Sequence, residues 1–193
     1  MSRRAQIALA ALVVGIFFLG YYAIHLKHQA ERLPMQAVDT RPITPPVAGA
    51  PSGVTLYVAD DHDGMLHRRN VTIALPADPT ERAREVLRAL LTVYADKNSP
   101  HALARGADVK AVFLVRPNMA IVDTNAAFAE GHRSGILVEQ LTVASIARTL
   151  AANSPGVIRV KILVEGKERE TLAGHAWLAD FYDTAAGDQF PSD

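Results

Sequence analysis

Apolar and polar residues alternate along VTLYVA, with Val54, Leu56 and Val58 on one side and Thr55 and Tyr57 on the other, which predicts a strand. The polar run Asp60, Asp61, His62, Asp63, Gly64 supplies a turn. LHRRNVTIALP then brings the chain back with Val71, Ile73 and Leu75 as its inward set. After Asp78 the period lengthens: Asp78 suits a helix N-cap, Pro79 the first helical position, and Glu81 completes a capping box. Ala83, Val86, Leu87, Leu90 and Tyr94 recur at helical spacing as a buried stripe, leaving Arg82, Glu85 and Arg88 outside. A loop through Asn98, Pro100 and Gly106 leads to VKAVFLV, where Val109, Ala111, Phe113 and Val115 are expected inward. Pro117 and Asn118 fit the middle of a type II turn, and MAIVD completes a hairpin.

A loop or short helical turn, TNAAFAEGHRSG, delivers the chain to its longest helix, SGILVEQLTVASIARTLAAN, which Ser134 is placed to open. Ile136, Val143, Ile146, Ala147 and Leu150 share one face, and Leu137, Leu141 and Ala144 widen it beyond an ordinary apolar stripe. Such a helix is expected to be mostly buried, with Thr142, Ser145, Arg148 and Thr149 as the arc left to water. Asn153 suits a left-handed C-terminal position, and Pro155 stops the helix. In VIRVKILVEGK, Ile158, Val160, Ile162 and Val164 point one way and Arg159, Lys161 and Glu165 the other, as in a sheet with one covered and one wet face. RETLAGHAWLADFY reads as a final short strand or coil over a sheet edge. The order strand, strand, helix, hairpin, helix, strand predicts an α+β domain with two helices on one face of a mainly antiparallel sheet.

The N-terminal text is of another kind. Arg3 and Arg4 precede AQIALAALVVGIFFLGYYAI, about the twenty apolar residues that cross a hydrocarbon core. Tyr21 and Tyr22 stand where an interfacial aromatic belt would hold the far end. A cleavable signal peptide is the alternative, but the apolar run is longer than the usual one and no small-x-small site follows it. Residues 1–26 are therefore expected to be a signal anchor with the N-terminus cytoplasmic and the rest extracytoplasmic, on the periplasmic or outer face. Residues 27–52 carry Pro34, Pro42, Pro45, Pro46 and Pro51 with no apolar period, as in a semi-rigid tether. Residues 53–183 form the expected domain, and residues 184–193 a flexible tail.

Charge and composition then remove several classes of chemistry. Lysine plus arginine balance aspartate plus glutamate at 20 each, but Arg3, Arg4, Lys27, Arg32 and Arg41 outnumber Glu31 and Asp39 in the first 52 residues, so the remainder is acidic. No basic patch of the nucleic-acid-binding kind is visible there. Cysteine is absent, which excludes disulfides, thiol catalysis, thiolate metal sites and a lipoprotein anchor. The acidic turn invites a calcium reading. With Gly64 at the sixth position of an EF-hand loop, Asp61 and Asp63 fall correctly, but Ala59 and Asn70 occupy the first and twelfth places and the bidentate acid is missing. His62, His67, His101, His132 and His175 lack zinc-ligand spacing and lie at loops or strand ends. GHRSG is not a nucleophile elbow, and EGK is a hairpin turn with no phosphate-loop glycines before it.

Several dispersed segments in the right order resemble the GerMN domain: VTLYVAD with a following DG, the helix ending RALL, AVFLV leading to AIVDTNAAF, VEQLTVASIARTL, SPGVIRVKILVEGK and TLAGH. The resemblance implies a compact α+β domain similar to the ring-building motifs of secretion and sporulation complexes, and it supplies no catalytic residue. The expected function is a non-enzymatic, membrane-anchored interaction module of the bacterial envelope, without cofactor or metal. Its partner would be an envelope protein or a cell-wall component, and the isolated domain is expected to be monomeric. Arg159, Lys161 and Glu165 are the candidate interaction surface. The alternative is an envelope hydrolase or metal-dependent enzyme using His62, His132 or His175 with nearby aspartates.

Overall fold

The computed structural model describes residues 49–185, which lie within one compact unit running from Pro46. The apolar N-terminal stretch, nearly all of the tether and most of the expected tail are outside the described residues. Among those described, no helix is long and apolar enough to cross a membrane.

The elements are β1 (Ala50–Asp60), β2 (Met65–Leu75), α1 (Pro79–Tyr94), β3 (Val109–Val115), β4 (Met119–Thr124), α2 (Ala126–Glu130), α3 (Ile136–Asn153), β5 (Arg159–Val164) and β6 (Tyr182–Asp183). The fold is α+β, as expected. β1 starts at Ala50, three residues ahead of the expected boundary. Instead of one sheet there are two: the antiparallel hairpin β1–β2, and a four-stranded sheet in the order β3-β4-β5-β6 whose inner pair, β4 and β5, is parallel. α3 packs chiefly on β1, α1 chiefly on β3, and the two helices on each other. The expected pair of helices on one sheet is thus divided between two.

The cause lies on one edge of the hairpin. Thr55 N–H donates to Asn153 Oδ1 at 3.1 Å, and Asn153 Nδ2 donates back to Thr55 O at 2.6 Å. Tyr57 N–H donates to Thr149 Oγ1 at 3.0 Å, and Ala59 N–H to the Tyr94 hydroxyl oxygen at 2.9 Å. Side chains from α3 and α1 take the places that a further strand would fill.

This bonding also buries most of the arc of α3 expected to be wet, while Leu141, Val143, Ile146, Ala147 and Leu150 are buried as expected. Thr142, Ser145 and Thr149 are fully buried, whereas Ile136 and Leu137 are 62% and 45% exposed. Asn153 is the last helical residue and bonds Thr55 from there, so it is not in the left-handed conformation; that role falls to Gly156 at φ 95°. The helix begins after Gly135 with no side-chain cap, and Ser134 instead contacts His175 Nδ1 at 3.3 Å.

α1 follows its sequence closely. Asp78 accepts from Glu81 N–H at 2.9 Å, and Ala83, Val86, Leu87, Leu90 and Tyr94 are all buried. β3 does not. Its register with β4 shifts between Val109 and Ala111, and an irregularity of this kind exchanges inside for outside in the residues beyond it. Val109 and Val112 are buried, while Phe113 and Val115, expected inward, face out. The β3–β4 turn contains a cis Arg116–Pro117 bond, and Asn118 lacks the positive φ that a type II turn requires at that place.

Candidate functional site

The three residues expected to form a polar outer row on β5 have separate surroundings. Arg159 is exposed, with its guanidinium 5.7 Å from the centre of the Phe181 ring. Lys161 is only 4% exposed: the segment after β5 folds over it, its ammonium donates to Ala179 O, and Glu168 lies 3.3 Å away. The expectation of a wet face fails at this lysine because Leu172, Ala176 and Leu178 in the same segment enter the core and carry the chain across the sheet. Glu165 lies in the turn beyond β5 at φ 54°. Its two oxygens accept from Lys110 Nζ at 2.6 Å and from Ala126 N–H, at the start of α2, at 2.8 Å. The Lys110 hydrogen bond and the Ala126 N–H hold this carboxyl below its ordinary value.

The histidines are likewise divided. His101 is buried between Asp61 and Thr142, with Nδ1 2.6 Å from Asp61 Oδ1 and Nε2 2.6 Å from Thr142 Oγ1. His132 reaches the same hydroxyl, 2.7 Å from its Nε2, while its Nδ1 donates to Arg133 O at 2.7 Å. Arg133 closes the arrangement with an ion pair to Asp61. Burial pushes both imidazoles down from their ordinary value, against the pull of the Asp61 carboxylate on His101 and of the Arg133 carbonyl on His132. An Asp–His–hydroxyl sequence has the order of a nucleophile triad, but His101 and Thr142 are fully buried and a substrate has no access to the oxygen in this conformation. The network ties the β1–β2 turn and two loops to α3.

His62 stays at the surface beside Asp60, its Nδ1 3.0 Å from Asp60 Oδ1, and His175 lies against Glu139 Oε1 at 3.0 Å. His62, His132 and His175 thus have different partners. Asp60, Asp63 and His67 do converge, with one potential ligand atom from each lying within 4.8 Å of the others. In the calcium reading Asp61 would join Asp63; here it faces His101 and Arg133 instead.

Glu139 was not among the expected site residues, yet it is the most highly coordinated carboxylate described. Its Oε2 accepts from the N–H groups of Ala173, His175 and Ala176 at 2.8–2.9 Å, and its Oε1 from Gly135 N–H at 3.1 Å. Burial alone would raise this carboxyl, but the donors outweigh it and hold the group at about 2. The signal was in the sequence: Glu139 lies three residues after Ile136 and four before Val143, on the apolar stripe itself.

At the far end of β3 lies a groove of about 650 Å³ between the start of α1, the β3–β4 turn and the turn after α3. Arg82, Val115, Arg116, Asn118 and the turn residues Ser154 and Gly156 are in its wall. Among the described residues Arg116 makes no ion pair. The Asn118 Oδ1 is buried without a hydrogen-bond partner.

The architecture is that of an α+β domain with helices packed on antiparallel and mixed sheets. Residues 55–170 match the family model Germane, described as sporulation and spore germination. The match covers more than half of the chain, and the chain belongs to this family of GerMN-domain proteins. Among solved structures it is similar to the tandem GerMN domains of the sporulation protein GerM from Bacillus subtilis, at 17% identity and a TM-score of 0.54. That similarity covers 71% of this chain and 48% of the other, so the chain spans about half the tandem protein. The first GerMN domain of the same protein matches at 20% identity, over 67% of this chain and 94% of that one, with a TM-score of 0.48. A putative lipoprotein from Clostridium perfringens matches at 16% identity, over 74% and 93%, with a TM-score of 0.46. No curated protein matches.

Proposed function

We propose that the chain is a non-enzymatic interaction module of the bacterial cell envelope, anchored by its apolar N-terminal stretch and carried on the extracytoplasmic side by the proline-rich tether. One observation carries this reading: several ionisable side chains, most of them buried, are tied up in hydrogen bonds within the domain, while large apolar side chains stand exposed. Glu139, Asp61, His101, His132, Lys161 and Glu165 each bind backbone groups or one another. Phe113, Val115 and Ile158 are exposed, and Val115 adjoins the exposed Arg116 in the chain. Exposed apolar surface next to unpaired charge is the composition of a contact surface. Membership in the family, described as sporulation and spore germination, supports the same reading.

The topological part is tested by adding protease to spheroplasts that express the full chain with an N-terminal epitope. Removal of the domain with retention of the epitope is the expected result. Protection of both would place the domain in the cytoplasm and overturn the proposal.

A further inference from the structure

β3 is the outer strand of its sheet, hydrogen-bonded to β4 on one side with no described strand on the other. An outer strand leaves alternate N–H and C=O groups unpaired, and these are a template for another extended chain unless something covers them. β1 is covered by Asn153, Thr149 and Tyr94. Beyond Val109, which bonds Asp108 Oδ1, no described side chain caps the β3 edge in that way.

Two further features lie along the same strand. The register shift turns Phe113 and Val115 outward, Phe113 to 52% exposure, so the middle of the edge is apolar. Its end opens into the groove, whose wall contains Arg82 and Arg116 and no carboxylate. Asn118 in that wall adds a buried acceptor that lacks a donor. We propose that the β3 edge takes up an extended segment of a partner protein, apolar along its middle and acidic at the end that lies beside Arg116. This deepens the interaction-module reading and rests on it.

A second copy of the chain fits the edge less well. In the symmetric antiparallel register that places the two Phe113 side chains opposite each other, Arg116 of one copy meets Lys110 of the other at both ends, a lysine already paired with Glu165, so a second copy brings the arginine no free carboxylate. An acidic segment supplies carboxylates that can make charge-assisted hydrogen bonds to the arginines.

The test uses the full chain and a blocked hexapeptide of alternating threonine and valine ending in two aspartates. Its controls are the same peptide ending in two lysines, and two versions N-methylated on alternate residues in either phase. Fluorescence anisotropy of the labelled peptide should show binding that weakens about tenfold or more with the lysine ending or in Arg116→Glu, the loss expected for a charge-assisted contact. One N-methylated phase should bind and the other fail, because only one row of peptide N–H groups faces β3. Hydrogen exchange should slow along β3 when peptide is added. Equal binding by both phases, equal binding by both endings, or protection elsewhere overturns the proposal. β3 already protected in the peptide-free chain, as monomer or dimer, also overturns it. The two readings separate in cells: a photo-crosslinking residue at Phe113 should give an adduct. Adducts at Arg159 alone remove the β3 proposal and leave the module, whereas adducts at neither position remove both.

Discussion

Replacing Glu139 by Gln should cost more than any other single change to a polar residue here, and the cost should depend on pH. The side chain is fully buried, and its oxygens face the N–H groups of Gly135, Ala173, His175 and Ala176. Its carboxyl is held at about 2 against an ordinary 4.5. At about 1.4 kcal/mol per unit, the ionised form stabilises the folded chain by roughly 3 kcal/mol. Because the folded value lies below the unfolded one, this contribution is complete above about pH 4.5 and is lost as the pH falls towards 2. Gln keeps the shape but also sets an NH₂ group against N–H donors, so the loss near neutrality should be about 3 kcal/mol or more. Urea unfolding of wild type and variant, followed by far-UV circular dichroism at about pH 7 and about pH 3, measures the gap, which should narrow at the lower pH as the wild type loses its advantage. Equal stabilities near neutrality, or a gap of the same size at both pH values, would refute the assignment of Glu139 as the anchor of the 173–176 turn.

Other outcomes follow from the same contacts. Asn153→Ala leaves both backbone groups of Thr55 unpaired and should destabilise by about 2 kcal/mol or more, and Tyr94→Phe, which strips the acceptor from Ala59 N–H, by about 1–3 kcal/mol; chemical denaturation checks both. Leu141→Ala and Ile146→Ala, both fully buried, should each cost about 2–5 kcal/mol, against about 0.5–1 kcal/mol for Arg148→Ala, whose guanidinium lies 4.9 Å from the Tyr57 ring centre. Burial lowers His101 and His132 in the folded state, so the unfolded chain takes up protons first as the pH drops below about 6.5 and stability should decline from there; exchanging both for Gln should flatten that slope in thermal melts.

The sequence carried the positions and types of the principal strands and helices, because each has a long run of one period and clear end signals: Asp78 and Pro79 at α1, Pro155 after α3, alternation in β1 and β5. What it hid has local physical causes. The shift at the start of β3 adds one residue to the count and so reverses Phe113 and Val115, and no composition signal marks it. Lys161 alternates correctly off the core side, but the face it points to is covered by a segment that lacks regular structure of its own. Threonine and serine on α3 read as a wet arc because periodicity ranks them polar, yet each is buried with a hydrogen-bond partner, which removes most of the cost of leaving water. The candidate site was correspondingly illegible. Its parts are an uncovered edge and a charge imbalance in a groove, and both are properties of the assembled surface.

The two sheet edges explain each other. A two-stranded hairpin is marginal by itself, so β1–β2 depends on α3 and α1 for both its apolar cover and its edge hydrogen bonds. Thr149 and Tyr94, fully buried, and Asn153, half-buried, meet that need because they lie on the helix faces against β1, where a side-chain donor or acceptor can replace a strand. The four-stranded sheet has no such need. Its inner strands β4 and β5 pair on both sides, and their core-facing residues Ala120, Val122, Val160 and Ile162 are fully buried whether or not β3 has an outer neighbour. An open β3 edge is therefore tolerated by this fold, whereas an open β1 edge would not be. Evolution of a partner contact at β3 would leave the core untouched, so substitutions at Phe113 and Arg116 should alter binding with stability changes within about 0.5 kcal/mol. Losses comparable to that of Asn153→Ala would show that the β3 surface is part of what holds the domain together.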